Sequence, residues 1–177
     1  MTTILLARHG ETDWNRERRL QGSSDTELNE LGRSQARELA AALADIDVAA
    51  VYSSDLRRAR ETAEIVAASK GLAVHVDRDL RERSFGRWEG LTRAEIAERF
   101  PDLEHHDGES DEEVRGRVLA AVHRIVDLHP GAQVLVVSHG SALNTLWHHA
   151  SGHRLERWGN GVVYQLAFRD GKFAPID

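Results

Sequence analysis

Cysteine is absent from this 177-residue chain. No disulfide, thiolate metal site or cysteine nucleophile is therefore available. Long apolar runs are missing too. None approaches the roughly 20 residues a helix needs to cross a bilayer, so no membrane partner is expected. Met1-Thr2-Thr3 leads directly into a strand-like stretch, with no basic segment followed by a long apolar one. No signal peptide is expected, and the cytoplasm is the default compartment. Positive charge is in deficit: Lys plus Arg is 23 and Asp plus Glu is 29, a formal net charge of -6. That balance speaks against a nucleic-acid partner. It leaves room for a small anionic substrate, because a local arginine cluster can oppose the global sign.

What is present is ordinary for a globular chain: 41% hydrophobic and 29% charged residues. The length suffices for one domain with a sizeable core, and a single domain over residues 1–177 is the simplest reading. Ile4 to Ala7 reads as a buried strand and Glu11 to Leu28 as a loop. Asn29 is placed to cap a helix whose apolar stripe is Leu31, Ala36, Leu39, Ala40 and Leu43. A strand is expected over Val48 to Ser53, a helix over Leu56 to Ser69 and a strand over Leu72 to Val76. Asp77 to Gly90 reads as a loop, and Thr92 to Phe100 as a helix stopped by Pro101. Asp102 to Glu109 reads as polar and irregular. Ser110 to Glu113 resembles a capping box before a long helix running to about His129. Val134 to Val137 is the most apolar strand, with a helix after it to about Ala150. Val162 to Phe168 and Lys172 to Pro175 form a hairpin turned at Asp170-Gly171. Strands alternating with helices predict an α/β fold: a three-layer α/β/α sandwich around a mainly parallel sheet.

Two junctions stand out. Ala7-Arg8-His9-Gly10 and Val137-Ser138-His139-Gly140 each place a histidine and a glycine just past a buried strand. In open parallel sheets, ligands bind outside the carboxyl ends of the strands. The two histidines are therefore expected to face one pocket, with Gly10 and Gly140 allowing tight turns or close backbone approach. His105-His106 and His148-His149 read as surface pairs. No histidine and glutamate share a helix face in a metal-binding spacing. Arg8 would repel a cation at His9, so neither a metal nor a cofactor is expected.

Arg8-His9-Gly10-Glu11-Thr12-Asp13-Trp14-Asn15 resembles the signature of the histidine phosphatase superfamily, the phosphoglycerate-mutase-like proteins. The resemblance continues through Gln21-Gly22, Leu28 to Gly32, Ser53 to Ala63, Leu80-Arg81-Glu82, Phe85 to Gly90, Gly108-Glu109-Ser110 and Val137 to Gly140. It spans nearly the whole chain in order. It implies that His9 is the nucleophile that becomes phosphorylated. It implies that Arg8, Arg58 and His139 ring the phosphate, that Asn15 and Gln21 add hydrogen bonds, and that the Gly22 backbone approaches the substrate. Glu82 would be the general acid. Glu27 and Asn29 stand where the family often has proline and threonine, which touches loop shape and capping rather than chemistry.

The chemistry is consistent with those residue types. A phosphate monoester is close to a dianion near neutral pH. Guanidinium forks match its oxygens and stabilise the charge that spreads over them during transfer. A nucleophilic histidine must be neutral, with its second ring nitrogen held by a partner such as a backbone carbonyl. Glu82 would protonate the leaving oxygen and then activate water. Glu11, Glu89 and Glu109 compete for that role, and Glu89 is read as a loop-ordering residue. Arg16, Arg18, Arg57 and Arg60 read as surface residues. Trp14 and Trp88 read as pocket-wall packing. The expected activity is metal-independent hydrolysis of a small phosphorylated metabolite. A mutase is the alternative, but the segment from Leu91 to Val134 is short for the shielding a mutase needs. A silent phospho-ligand-binding module is a further alternative, although the nucleophile, both arginines and the acid are all retained. Residues reading the alcohol are expected in Arg93 to Ser110 and near Trp158 to Val162.

Overall fold

The computed structural model describes residues 1–102, 107–156 and 158–176. The His105-His106 pair lies outside the described residues, while His148 and His149 are exposed as expected. Strand β1 (Thr2–Arg8) is followed by a short helix α1 (Asp13–Arg16) and helix α2 (Glu30–Ala42). Then come β2 (Ala50–Ser53), α3 (Arg57–Ser69), β3 (Val74–Val76), α4 (Arg93–Arg99) and α5 (Asp111–Leu128). The chain closes with β4 (Gln133–Ser138), α6 (Gly140–Ser151), β5 (Val163–Arg169) and β6 (Lys172–Pro175).

The six strands make one sheet in the order β3-β2-β4-β1-β5-β6. β1 to β4 pair in parallel, and β5 and β6 add an antiparallel edge. Central strands buried on both faces read as continuous apolar runs, which is why β1 and β4 stand out in the sequence. Their alternation divides the core. Ile4, Leu6, Val134 and Val136 point toward α5 and α6, where they meet Val118, Val122, Leu143 and Leu146. Leu5, Ala7, Leu135 and Val137 point the other way, onto Leu39, Ala63 and Val66 of α2 and α3. The result is the three-layer α/β/α arrangement expected.

Local chemistry sets most boundaries. The Asn29 side chain accepts from Gly32 N at 2.9 Å, and Ser110 with Glu113 forms the expected capping box. Asp170 and Gly171 both adopt positive φ, 52° and 76°, as a two-residue hairpin turn of matching twist requires. Three expectations need correction. The segment from Glu11 to Leu28 contains helix α1, and Asp77 to Gly90 contains 3-10 turns at Arg78–Leu80 and Gly86–Trp88. Both are too short to show a periodicity. Leu31 is exposed rather than part of the apolar stripe. It lies about 140° around the helix from Ala36, whereas Gly32, Ala36, Leu39, Ala40 and Leu43 follow one face.

Gly32 matters because the chain leaving β1 lies against it. A Cβ on Gly10 would stand 2.3 Å from the Gly32 carbonyl oxygen, and one on Gly32 would stand 2.1 Å from the Glu11 carbonyl oxygen. The crowding at Gly10 thus comes from α2. A Cβ on Gly140 would have no contact closer than 3.8 Å, so that position is not sterically required to be glycine. Both atoms in the Gly32 contact are backbone and cannot swing aside. Gly32→Ala should therefore destabilise the protein by about 1–3 kcal/mol despite alanine's better helix propensity. A urea denaturation midpoint equal to or above wild type would contradict this packing.

Candidate active site

Strand register brings the two histidines together. Arg8 of β1 pairs with Ser138 of β4, so the residues that follow each leave the sheet at the same height. His9 N donates to the Ser138 carbonyl at 3.1 Å, and the two imidazole centroids are 5.1 Å apart. His9 is buried, and its Nδ1 lies 2.7 Å from the Gly10 carbonyl oxygen. A carbonyl can only accept, so Nδ1 carries the proton and Nε2 keeps a lone pair. Burial, then Arg58 and Arg8, hold the His9 pKa well below the usual imidazole range, against a smaller opposing effect of the Gly10 hydrogen bond. His139 Nε2 meets the Ser54 hydroxyl at 2.7 Å, and its buried Nδ1 has no hydrogen-bond partner among the described residues. Its pKa is also held well below the usual range, by burial first and then by Arg58, His9 and Arg8. Both rings are therefore neutral at neutral pH.

Two guanidiniums stand beside them. Arg8 Nη1 donates to the Trp158 carbonyl at 2.9 Å. Arg58 is fully buried in α3. Its Nη1 donates to the Ser24 carbonyl at 2.7 Å and its Nη2 to the Gly22 carbonyl at 2.9 Å, while Nε has no hydrogen-bond partner among the described residues. Gly22 sits at φ 52°, where a Cβ would collide with Glu89. Burial lowers the Arg58 pKa to about 10, with Glu82 and Asp25 opposing, and the group remains a cation at neutral pH. Thr62 links it to the histidine loop, donating to the Arg58 carbonyl at 2.7 Å and accepting from Gly10 N at 3.1 Å.

Thr12 orients two amides. Its hydroxyl lies 2.9 Å from Gln21 Oε1 and 3.2 Å from Asn15 Oδ1, and Thr12 N also donates to Asn15 Oδ1. Thr26 donates to Gln21 Oε1 at 2.6 Å. With both amide oxygens occupied, the amide N–H groups are left for the cavity.

Glu82 closes the ring of groups. Its Oε1 accepts from Arg83 N at 2.9 Å and from Ser141 N, in the first turn of α6, at 3.1 Å. Its backbone is clamped by Arg117 of α5. That guanidinium donates to the Asp79, Arg81 and Glu82 carbonyls at 2.9, 2.7 and 2.9 Å, and binds Glu109 through both carboxylate oxygens. Glu109 and Glu89 are thus spent on structure. Glu89 accepts from Ser23 N, Phe85 N and the Ser24 hydroxyl, which ties the Gly22 loop to the Phe85 loop. Glu11 accepts from Asn29 and does not line the cavity.

Arg8, His9, Asn15, Gln21, Gly22, Arg58 and Glu82 line one cavity of about 490 Å³. The model of the histidine phosphatase superfamily (branch 1) matches residues 4–175. The chain belongs to the histidine phosphatase superfamily. It is 40% identical to phosphoglycerate mutase-like protein 4 of Arabidopsis thaliana over 184 residues, 95% of this chain and 80% of that one. The solved structure of YhfR from Bacillus stearothermophilus superposes with a TM-score of 0.90 at 36% identity, covering 99% of this chain and 95% of the other. A mycobacterial glucosyl-3-phosphoglycerate phosphatase, solved with VO3, superposes with a TM-score of 0.86 at 33% identity over 98% and 96%.

Within this superfamily frame the site differs from expectation in its details. His139 is fully buried beside His9 and is not among the residues lining the cavity. Trp14 lies against Gly90 and, like Trp88, is not among the lining residues. Arg93 and Trp158 line it as expected for alcohol-reading residues, but so do Arg83, Phe85, Asn144, Arg154 and Glu156 from outside the expected segments. Thr12, Ser54 and Arg117 are site residues that sequence reasoning misses. The Thr-x-x-Asn capping pattern could have flagged Thr12, whereas nothing local marks Arg117.

The histidine environment makes a stability prediction. An unfolded histidine titrates near 6.5, while these two resist protonation in the fold. Their contribution is complete above about pH 6.5 and is lost as pH falls below it, by up to about 1.4 kcal/mol per pH unit for each ring. Urea unfolding from pH 8 to pH 5 should show this slope, and His9→Asn with His139→Gln should flatten it. Carboxylates such as Asp55, whose pKa is lowered by its hydrogen bonds with Arg81, act in a lower pH range. An unchanged slope above pH 5 in the double variant would contradict the assignment.

Proposed function

We propose that this chain is a metal-independent phosphomonoesterase that hydrolyses a small phosphorylated metabolite through a phosphohistidine on His9. The observation carrying this reading is the His9 tautomer: the Gly10 carbonyl fixes the proton on Nδ1 and leaves Nε2 as a lone-pair donor. Arg8, Arg58, Asn15 and Gln21 surround the same cavity with donors suited to phosphate oxygens.

The steps follow from these groups. The phosphate dianion settles between Arg8 and Arg58, which balance its charge. His9 Nε2 attacks phosphorus and the ester P–O bond breaks. The Glu82 carboxyl gives its proton to the departing oxygen, and the alcohol leaves. Water then attacks phosphohistidine, passing a proton to Glu82, and His9 and inorganic phosphate are restored. Charge on the equatorial oxygens is met by guanidiniums already in place, which is the main source of acceleration in phosphoryl transfer. His139, with its Nε2 on the Ser54 hydroxyl, stands beside His9 with the ring centroids 5.1 Å apart.

Among the described residues no group of three His, Asp or Glu side chains is placed to hold a metal ion. Hydrolysis rather than mutase transfer is supported by the short middle segment, which contributes α4 and α5 without a long covering insertion.

Quenched turnover with a radiolabelled phosphate monoester should yield an acid-labile, alkali-stable phosphoryl adduct on His9. His9→Ala should lower kcat by roughly 10³-fold or more with circular dichroism unchanged. Glu82→Gln should lower it by roughly 10²–10⁴-fold. A chelator should leave turnover intact. Label on another residue, or substantial turnover by folded His9→Ala, would overturn the mechanism.

A further inference from the structure

The peptide that links His9 to Gly10 is held at both ends. Its N–H, on Gly10, donates to the Thr62 hydroxyl at 3.1 Å. Its carbonyl, on His9, accepts from Asn160 Nδ2 at 2.6 Å. A carbonyl can only accept, so the amide nitrogen of Asn160 is the atom that faces it. Asn160 reaches the nucleophile from 151 residues along the chain. It is not among the residues lining the cavity, so it meets His9 from outside the space a substrate would fill.

A short departure from the sheet brings Asn160 there. β5 starts at Val163, opposite Ala7, and runs antiparallel to β1. One residue further along β1, Arg8 forms an isolated parallel bridge with Asn160. Trp158 anchors this segment. Its indole is buried against Trp147 of α6 and Tyr164 of β5, with ring centroids 6.2 and 4.5 Å away. Its carbonyl accepts from Arg8 Nη1 at 2.9 Å. Trp158 and Asn160 thus hold the Arg8 guanidinium and the His9 carbonyl in turn.

The consequence is geometric. A peptide unit is planar, so fixing its oxygen and its N–H fixes its plane. That plane sets the course of the chain into Gly10, whose own carbonyl lies 2.7 Å from His9 Nδ1. His9 is only 2% exposed, so water has little access to its carbonyl. Without the Asn160 amide that oxygen would be a buried acceptor lacking a donor, and the peptide would rotate to find one. The ring would follow, and Nε2 would lose its aim. A misplacement of about 1 Å in a reacting group costs roughly 10²-fold in rate.

We propose that Asn160 is a positioning residue: with Thr62 it locks the His9–Gly10 peptide and so aims the His9 ring at the substrate phosphorus, without touching the substrate. The role rests on the phosphohistidine reading of His9 and deepens it.

Rapid-quench transfer of label from saturating radiolabelled 4-nitrophenyl phosphate tests it. Nitrophenolate leaves without needing a proton, so the rate of adduct formation reports the attack by His9 rather than the acid at Glu82. Asn160→Leu keeps the volume of the side chain and removes the donor. It should slow adduct formation by roughly 10²-fold, while the inhibition constant of inorganic phosphate stays within about threefold of wild type. Asn160→Ala, whose smaller side chain lets a water donate to the carbonyl, serves if the leucine variant does not fold, and should slow the same step by roughly tenfold. A loss below about fivefold in the folded variant, a phosphate inhibition constant raised by more than about threefold, or failure of both variants to fold would assign Asn160 to stability alone and overturn the inference. In each of those cases wild type would still form the His9 adduct. No adduct in wild type would overturn the phosphatase reading and this inference with it.

Discussion

The site depends on a buried guanidinium that has no carboxylate as a hydrogen-bond partner. Arg58 is fully enclosed, and its Nη atoms are held by the Gly22 and Ser24 carbonyls. Carbonyl dipoles satisfy the hydrogen bonds but leave the net charge in place. The pKa lowered to about 10 reflects the strain that burial places on the charged form. An arginine keeps its proton under that strain. Burial first, and the same charge after it, keeps both imidazoles neutral. A cation held ready in this way supplies its field at the moment an anion arrives, without reorganisation.

The surrounding fold keeps that charge next to His9. Thr62, one turn along α3, links the Arg58 carbonyl to the Gly10 amide. Gly10 is in turn pressed against Gly32 at the start of α2. On the other side of β1, the parallel register with β4 places His139 behind His9 and lets the Ser138 hydroxyl hold the Leu80 carbonyl at 2.7 Å. The loop bearing Glu82 is therefore fixed to the same strand end. Arg117 then uses its guanidinium on three carbonyls of that loop and one carboxylate. His9, Arg58 and Glu82 are thus tied to the ends of one pair of strands rather than carried by three independent loops.

Much of this arrangement is legible in the order of residues alone. The runs at Ile4 to Ala7 and Val134 to Val137, each ending in histidine and glycine, give the central strands and the pair of rings. Asn29, Ser110 with Glu113, and Asp170-Gly171 announce their cap, box and turn through chemistry that acts over a few residues. What escapes is long range or aperiodic. Arg117 lies in a helix with no sequence sign that its partners are the Asp79, Arg81 and Glu82 carbonyls. The Thr12 hydroxyl reaches Gln21 through a loop fold that no local pattern encodes. Leu31 misleads because it is apolar but sits off the face that Gly32 continues. The placement of His139 beneath His9, rather than on the cavity wall, follows from tight strand register that spacing alone does not specify.

The choice of cation carries the same logic. Lys70 and Lys172 are the lysines among 23 basic residues. At Arg58 and Arg117 the preference has a structural cause. Each position requires one planar group to reach several carbonyl oxygens at once, with directions fixed by the fork. An ammonium has three donors on a flexible stem and is more strongly hydrated, so burying it against carbonyls would lower its pKa until the proton was lost. A lysine at Arg58 would therefore tend toward neutrality, removing the field that adds to burial in holding the imidazoles unprotonated. Arginine permits deep burial and permanent charge together. That combination lets the site keep a buried cation inside a protein whose overall charge is negative.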